Sequence, residues 1–319
     1  MITQPDLTTM APPPEKTTFL SRGIKIAGLI YKPAPNAPDR SGAAVIICHP
    51  WTSIKEQSPA NYARVLASAG FACLTYDAAY QGESGGSPRD LEDPAQRVED
   101  IKSAVTHLAT GAAAAAGVDA AGMIGVLGIC ASGGYAAHAA QADLRVRAVA
   151  TAAAVCVGTM ARRGLDKDTA GPETLRAQLE AAARDRESDV TGDKVDVVHL
   201  LPEKYEDAAG LPESFRDLAS YYRTPRACHP RATNTCLPRS WDMMANFDAF
   251  AHNDMISPRP LLMITGSKAA TKWYSEDGVA KAKEPKELFV VDGLTHADLY
   301  DNVDVSGAKL VEFFGKYLV

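Results

Sequence analysis

The amino-acid sequence predicts an α/β fold with a doubly wound, mostly parallel sheet. Short apolar runs with the length of buried strands alternate with stretches of helical periodicity. One such run, 123–127, leads through glycine into a cluster of small residues and then an alanine-rich helical stretch. The charged segment 158–258 interrupts the alternation, so we expect it to be an insertion in the sheet-forming core.

The bulk composition limits the class of protein. The 319 residues are 46% hydrophobic and 23% charged, which is typical of a globular chain. A net charge of −6 gives no basic surface for nucleic acid, and no apolar run approaches the ~20 residues that span a bilayer. The six cysteines lack short paired spacings and the N-terminus lacks an apolar signal core, so we expect a cytoplasmic protein. The sequence is also compatible with a homodimer.

The elements ahead of the small-residue cluster follow in a regular order. Asp93 before Pro94 predicts a helix N-terminus, because Asp is favoured as N-cap and Pro in the first turn. A Gly/Ala-rich link at 111–122 then leads to the strand at 123–127. Before Asp93 we expect hairpin strands at 17–22 and 24–32, a buried strand at 43–48, a helix at 59–69 and a strand at 71–76.

The second half predicts the division of the chain. We expect a strand at 146–155, insertion helices at 173–186 and 212–222, a strand at 261–265, a helix from Ser275, a strand at 287–291 and a last helix at 305–318. The predicted domains are an N-terminal arm at 1–16, a core at 17–157 and 259–319, and a cap insertion at 158–258. Since ligands of such sheets bind beyond the carboxyl ends of the strands, the insertion can cover the site.

The small-residue cluster has the layout of a nucleophile elbow. Cys130 lies one residue beyond Gly128, and the turn demands small residues two positions before and after the nucleophile, here Gly128 and Ser132. A helix N-terminus at this point favours a thiolate. A frame shifted by two residues makes Ser132 the nucleophile. Cys130 is preferred because Gly128 directly ends the strand.

A thiol nucleophile needs a base, and the base an orienting group. His296 follows the last strand after a short loop that contains Gly293, and it is the predicted base. No carboxylate follows the preceding strand directly, so Asp277 is the predicted acid and Glu276 its alternative. Both also fit the first turn of a helix capped by Ser275.

The oxyanion hole is predicted from placement alone. One donor is the amide of Ala131, the residue after the nucleophile. The other comes from the loop after the strand at 43–48, where Trp51 is the first donor because Pro50 has no N–H. No cofactor or metal is expected, since the cysteines and histidine at 228–236 fit no compact zinc spacing.

Several segments together resemble one branch of the α/β-hydrolase superfamily, similar to dienelactone hydrolases and X-prolyl dipeptidyl-peptidase-like hydrolases. That branch includes polyketide acyltransferases and thiohydrolases. Dienelactone hydrolases carry Gly-x-Cys-x-Gly-Gly, which Gly128 and Cys130 match and Ser132 departs from. The resembling segments are the elbow, His49-Pro-Trp-Thr52, Lys55-Glu-Gln57, Tyr80-Gln-Gly-Glu-Ser-Gly-Gly86, Tyr221-Tyr-Arg-Thr-Pro-Arg226, His229-Pro-Arg231 and the stretch from Gly266 to Asp277.

The resemblance implies an α/β-hydrolase fold with a helical cap insertion. It also implies a hydrolase that cleaves an ester, thioester or lactone of a small acyl substrate through an acyl-enzyme on Cys130. An acyltransferase with the same acyl-enzyme and a non-catalytic binding protein are the alternatives. In the cap, Tyr222, Arg223 and Arg226 are weaker candidates for contact with an anionic or polar acyl group.

Overall fold

The protein is described here by a computed structural model that covers residues 11–111 and 123–319. Its centre is an eight-stranded sheet in the order β1-β2-β4-β3-β5-β6-β9-β10, and β7 pairs with β8 in a separate ribbon. The strands are β1 (Glu15–Ser21), β2 (Ile24–Tyr31), β3 (Ala44–Cys48), β4 (Ala72–Tyr76), β5 (Ile124–Ile129), β6 (Val146–Ala152), β7 (Val198–His199), β8 (Thr235–Cys236), β9 (Leu261–Gly266) and β10 (Lys286–Val291).

The direction of the strands confirms the predicted doubly wound, mostly parallel sheet. The pairs β1/β2 and β2/β4 are antiparallel, whereas the remaining neighbours, from β4 through β3, β5, β6 and β9 to β10, are parallel. Strands β3, β4, β5 and β9 are buried along their whole length. A strand covered on both faces is apolar at every position, which explains the continuous apolar runs in the sequence.

The helices cover the sheet and form the segment between β6 and β9. They are α1 (Ser58–Ser68), α2 (Pro94–Ala109), α3 (Ala131–Ala142), α4 (Val157–Arg163), α5 (Pro172–Thr191), α6 (Glu213–Tyr222), α7 (Ser240–Ala245), α8 (Lys272–Lys281), α9 (Asp298–Asp301) and α10 (Asp304–Tyr317). Among the helices that the structure describes, none combines the length and apolar character needed to cross a membrane.

Two local predictions can be compared directly with the helix ends. The Asp93 side chain accepts hydrogen bonds from the amides of Ala95 and Gln96 at 2.9 and 3.3 Å, which confirms the predicted N-cap of α2. The predicted start of α8 at Ser275 is wrong, because the helix begins at Lys272 and Ser275 is buried inside it. This shift of one turn decides where the following carboxylates point.

The ends of the described chain segments also differ from expectation. Strand β1 begins at Glu15, inside the predicted arm at 1–16, because β1 pairs with β2 from Glu15 onward. Residues 1–10 of that arm, and residues 112–122 of the predicted Gly/Ala-rich link, lie outside the described residues.

The segment between β6 and β9 folds as helices and a short ribbon. Helix α7 packs against both α4 and α5. The α5–α7 contact is tied by Arg239, whose guanidinium contacts Asp185 and Asp189 at 2.8 Å each. Residues of this segment lie above the carboxyl ends of the central strands, where they enclose the cavity described below.

Candidate active site

The elbow holds Cys130 by its backbone. Cys130 follows β5 with φ 56° and ψ −121°, a conformation that L residues rarely adopt. Its amide donates to the carbonyl of Ala152 at 3.0 Å, and its carbonyl accepts from Gly133 at 2.8 Å. A Cβ added at Gly128 would lie 2.0 Å from the carbonyl oxygen of Ser132, so this turn requires glycine. The elbow geometry predicted for Cys130 is therefore present.

Ser132 lies beneath the elbow and is only 1% exposed. Its hydroxyl donates to the carbonyl of His49 at 2.6 Å and accepts from the guanidinium of Arg97 at 2.8 Å. Arg97 also donates to the same His49 carbonyl at 2.8 Å and lies 3.6 Å from Glu92, a buried carboxylate. These bonds engage the Ser132 hydroxyl away from the cavity. The structure thus contradicts Ser132 as the alternative nucleophile.

A cavity of about 350 Å³ ends at Cys130. Within the part of the chain that the structure describes, its lining contains no Asp, Glu, Lys or Arg side chain. Its lining includes Trp51, Cys130, Ala131, Val155 and Tyr300, together with Met160, Leu165, Leu201, Phe215, Leu218, Tyr222 and Trp241 from the segment between β6 and β9. A largely apolar space beside a thiol suits an apolar group attached to a reacting carbonyl.

The environment of the Cys130 sulfur combines burial with polar neighbours. Burial raises the pKa of the thiol above its ordinary value. The Tyr300 hydroxyl and the amides of Ala131 and Trp51 lie beside the sulfur and oppose that increase in pKa. The structure therefore brings both predicted oxyanion donors to the nucleophile.

The loop that carries Trp51 is anchored by buried groups. His49 accepts a hydrogen bond from the Ala78 amide at 2.9 Å. The fully buried ammonium of Lys55 bonds the Asp77 carboxylate at 2.7 Å and the Glu83 carboxylate at 2.6 Å. The Lys-Glu-Gln and Gly-Glu-Ser motifs of the sequence thus meet in one ion cluster, which fixes this loop against the loop after β4.

His296 is 2% exposed and is absent from the cavity lining. Its Nε2 atom lies 2.8 Å from the hydroxyl of Tyr300, and its Nδ1 atom lies 2.6 Å from the hydroxyl of Thr271. Burial lowers the pKa of His296 to about 4, so the imidazole is neutral near neutral pH. The Tyr300 hydroxyl therefore lies between the predicted base, His296, and the sulfur of Cys130.

The structure contradicts both carboxylates predicted as the acid. Asp277 bonds Lys281 at 2.8 Å, and Glu276 lies 3.4 Å from Lys272. Their side chains are 46% and 49% exposed. Because α8 begins one turn earlier than predicted, these residues face solvent and pair along the helix. The hydroxyl of Thr271, just ahead of α8, occupies the orienting position on His296 instead.

Two cap arginines also differ from expectation. Arg226 pairs with Asp298 at 3.0 Å and with Asp301 at 2.5 Å. Arg223 donates to the carbonyl of Pro202 and to the Asn234 side chain, both at 2.6 Å. Neither arginine lines the cavity, so the structure contradicts them as acyl-group contacts. Their neighbour Tyr222 does line the cavity.

Thr271 and Tyr300 were missed by the sequence reasoning. Tyr300 lies four residues after His296, which places the two side chains on one face if a helical turn forms there. That spacing was a usable signal. Thr271 carried none, since a lone threonine after a strand is ordinary. Among the described residues, no cluster of three His, Cys, Asp or Glu side chains is arranged to hold a metal ion.

Fold and site together define an alpha/beta hydrolase, a class of hydrolytic enzymes. The model of the Alpha/beta hydrolase family matches residues 45–307, and the chain belongs to that family. It is 37% identical over 279 residues to the uncharacterized protein YcjY of Escherichia coli K12, covering 87% of this chain and 89% of the relative.

Other relatives extend this assignment. The solved structure of the hypothetical protein PA2218 from Pseudomonas aeruginosa has a TM-score of 0.87 at 33% identity and covers 97% of this chain and 94% of its own. A thiohydrolase of Eupenicillium brefeldianum is 27% identical over 289 residues, covering 88% of this chain and 86% of the relative. Relatives named as polyketide transferases are 31% identical over 179 residues and 24% identical over 300 residues.

Proposed function

We propose that this protein cleaves a thioester or ester bond through an acyl-enzyme on Cys130. The observation that carries the proposal is the strained Cys130 at the end of an apolar cavity, with the amides of Trp51 and Ala131 beside its sulfur. Relatives named as thiohydrolases support the same bond class.

The proposed reaction has two steps. The thiolate of Cys130 attacks the substrate carbonyl, and the amides of Trp51 and Ala131 stabilise the oxyanion. His296 takes the thiol proton and delivers it to the leaving group, so that the acyl group remains bonded to sulfur. Water then attacks this thioester with His296 as general base, and the carboxylic acid and the free thiol are released.

The acyl group is proposed to be uncharged and largely apolar. In the described part of the chain, no Asp, Glu, Lys or Arg side chain lines the cavity, so apart from His199 no side chain there would pair with a charged acyl group. Octanoyl and succinyl N-acetylcysteamine thioesters test this directly. We expect kcat/KM for the octanoyl compound to exceed that for the succinyl compound by at least about 100-fold, and equal values would contradict an apolar site.

Acyl transfer is the second candidate, favoured by one observation. The cavity at Cys130 is lined largely by apolar side chains, which favour an alcohol with an apolar chain over water. Such an alcohol, with its hydroxyl oriented toward Tyr300, accepts the acyl group instead. Product analysis in the presence of hexanol distinguishes the two: free acid supports hydrolysis, and hexyl ester with little acid supports transfer.

Intact-protein mass spectrometry with octanoyl N-acetylcysteamine tests the acyl-enzyme. We expect a covalent octanoyl group on Cys130 in the wild type, and loss of turnover by about a thousandfold or more in Cys130→Ala. Ser132→Ala is the matched control in the same turn, and it is expected to retain the adduct on Cys130. An adduct that persists in Cys130→Ala would disprove the thiol mechanism, and a wild type without turnover would favour the binding protein.

A further inference from the structure

The Tyr300 hydroxyl occupies the position between the nucleophile and the base. It lies 2.8 Å from His296 Nε2 and beside the sulfur of Cys130. Tyr300 and Cys130 both line the cavity, whereas His296 does not. A proton that leaves the thiol therefore meets the phenol oxygen before it can meet the imidazole.

The hydrogen bonds around His296 fit donation in one direction, from Cys130 through Tyr300 and His296 to Thr271. With the ring proton on Nδ1, His296 donates to the Thr271 hydroxyl at 2.6 Å. Nε2 then carries a lone pair and accepts the Tyr300 O–H at 2.8 Å. The lone pairs of the Tyr300 oxygen are left free to accept the S–H of Cys130.

The Tyr300 ring is held in place by other aromatic rings. Its centroid lies 5.0 Å from that of Tyr221 and 6.3 Å from that of Tyr222, both in edge-on contact. The ring of His296 lies 5.3 Å away, also edge-on. Tyr300 is fully buried, so rotation of its ring out of the path would require these neighbours to move.

We propose that Tyr300 is a catalytic residue that relays the Cys130 proton to His296, an inference that rests on the proposed function. The S–H bond of Cys130 breaks as its proton bonds to the phenol oxygen. In the same step the original phenol proton moves to Nε2 of His296. The products are a thiolate, a neutral tyrosine and an imidazolium that still donates to Thr271, so every proton is accounted for.

Burial also raises the pKa of Tyr300 well above the ordinary value of a phenol. The hydroxyl therefore stays protonated near neutral pH, as a relay group must, and does not act as a standing phenolate base.

Alkylation of Cys130 by iodoacetamide tests the relay without any acyl substrate. The rate is followed on the Cys130 peptide by mass spectrometry, because Cys228 is exposed and is expected to react as well. Tyr300→Phe is expected to lower this rate at pH 7 by about 100-fold, the usual range of acid–base assistance. Tyr221→Phe is the matched control, a buried neighbouring tyrosine outside the cavity lining, and its rate is expected to equal the wild-type rate.

A double variant separates a relay from independent effects. If Tyr300 and His296 act in one proton path, Tyr300→Phe combined with His296→Gln alkylates no more slowly than the slower single variant. Losses that multiply would overturn the relay, and so would a wild-type rate in Tyr300→Phe.

A second substitution at the same position guards against a folding defect. Incorporation of 3-fluorotyrosine at residue 300 changes the acidity of the hydroxyl and keeps its position. Because this variant keeps a hydroxyl that can accept one proton and donate another, the relay predicts that it alkylates at least about 10-fold faster than Tyr300→Phe; a rate as low as that of Tyr300→Phe would overturn it. Alkylation data that support the relay in a protein that forms no acyl-enzyme would refute the proposed function alone.

Discussion

Two of the loops that form the site, one after β5 and one after β9, are built in different ways. After β5, one turn fixes the nucleophile, and Gly128, Cys130 and Ser132 each have a place set by the backbone. After β9, Thr271 acquires its role only because His296 arrives from a later loop. A function set by local backbone geometry is visible in a sequence, whereas one set by distant contacts is not.

The surroundings of the two loops also differ in charge. Beneath the elbow, Arg97 and the buried Glu92 lie 3.6 Å apart, and Arg97 bonds the Ser132 hydroxyl. Around His296 the hydrogen-bond partners are the neutral hydroxyls of Thr271 and Tyr300. Without a carboxylate partner, an imidazolium gains little stabilisation, which agrees with the low pKa of His296. A thiol is more acidic than a serine hydroxyl, so a cysteine nucleophile suits this weak base.

The largest effect is expected from Gly128→Ala, which changes the loop after β5, where backbone geometry fixes the nucleophile. The new Cβ would lie 2.0 Å from the carbonyl oxygen of Ser132, and a backbone atom cannot move aside without distorting the elbow. We expect the free energy of unfolding to fall by about 3 kcal/mol and turnover to fall by more than about 100-fold. Denaturant titration and steady-state kinetics measure the two losses.

Gly210→Ala is the matched control for that prediction, since no atom lies within 4 Å of a Cβ added there. Its stability and turnover are expected to stay close to those of the wild type. If both alanine variants behaved alike, the close approach at Gly128 would not be what shapes the elbow.

The second largest effect is expected in the loop after β9, where Thr271 contacts His296 from a distant part of the sequence. Thr271→Val keeps the shape of the side chain but removes the hydroxyl that accepts from His296 Nδ1. The imidazole then favours the tautomer with its proton on Nε2, which cannot accept from Tyr300. Turnover is expected to fall by about 10- to 100-fold, while Thr271→Ser, which keeps the hydroxyl, stays near wild type. Equal kinetics for the valine and serine variants would leave Thr271 without an orienting role.

The same contrast explains how far the sequence could be interpreted. The sheet, the elbow and the oxyanion amides of Trp51 and Ala131 followed from periodicity and from the covalent limits of glycine and proline. The orienting group on His296 could not be predicted in this way. Ser275 has the residue type of an N-cap, but α8 begins at Lys272, which turns the following carboxylates toward solvent. Tyr300 was marked only by its spacing of four residues from His296, a weak signal because His296 lies on a loop and α9 spans only Asp298–Asp301.

The pH dependence of turnover measures the pKa of His296 and so tests whether its partners are neutral. Burial lowers the pKa of His296 to about 4, below its ordinary value of about 6.5. The imidazole accepts a proton only while it is neutral, so kcat/KM should hold from pH 7 to pH 5 and fall as the pH decreases through 4. Circular dichroism at each pH checks that the fold persists. An acid limb centred near pH 6.5 would mean that the imidazole is solvated or paired with a carboxylate.

The smallest effect is expected from Asp277→Asn, which removes the carboxylate that the sequence pattern favoured as the acid. Its side chain is 46% exposed and bonds Lys281 at 2.8 Å within α8, and Thr271 already occupies His296 Nδ1. Turnover is expected to stay within about twofold of the wild type, and stability to change by less than about 0.5 kcal/mol, as for an exposed helical ion pair. Glu276→Gln, one residue earlier and equally exposed, should behave identically. A loss of 10-fold or more confined to Asp277→Asn would place a carboxylate back beside His296 during turnover, and the contrast between the two loops would then apply only to the resting enzyme.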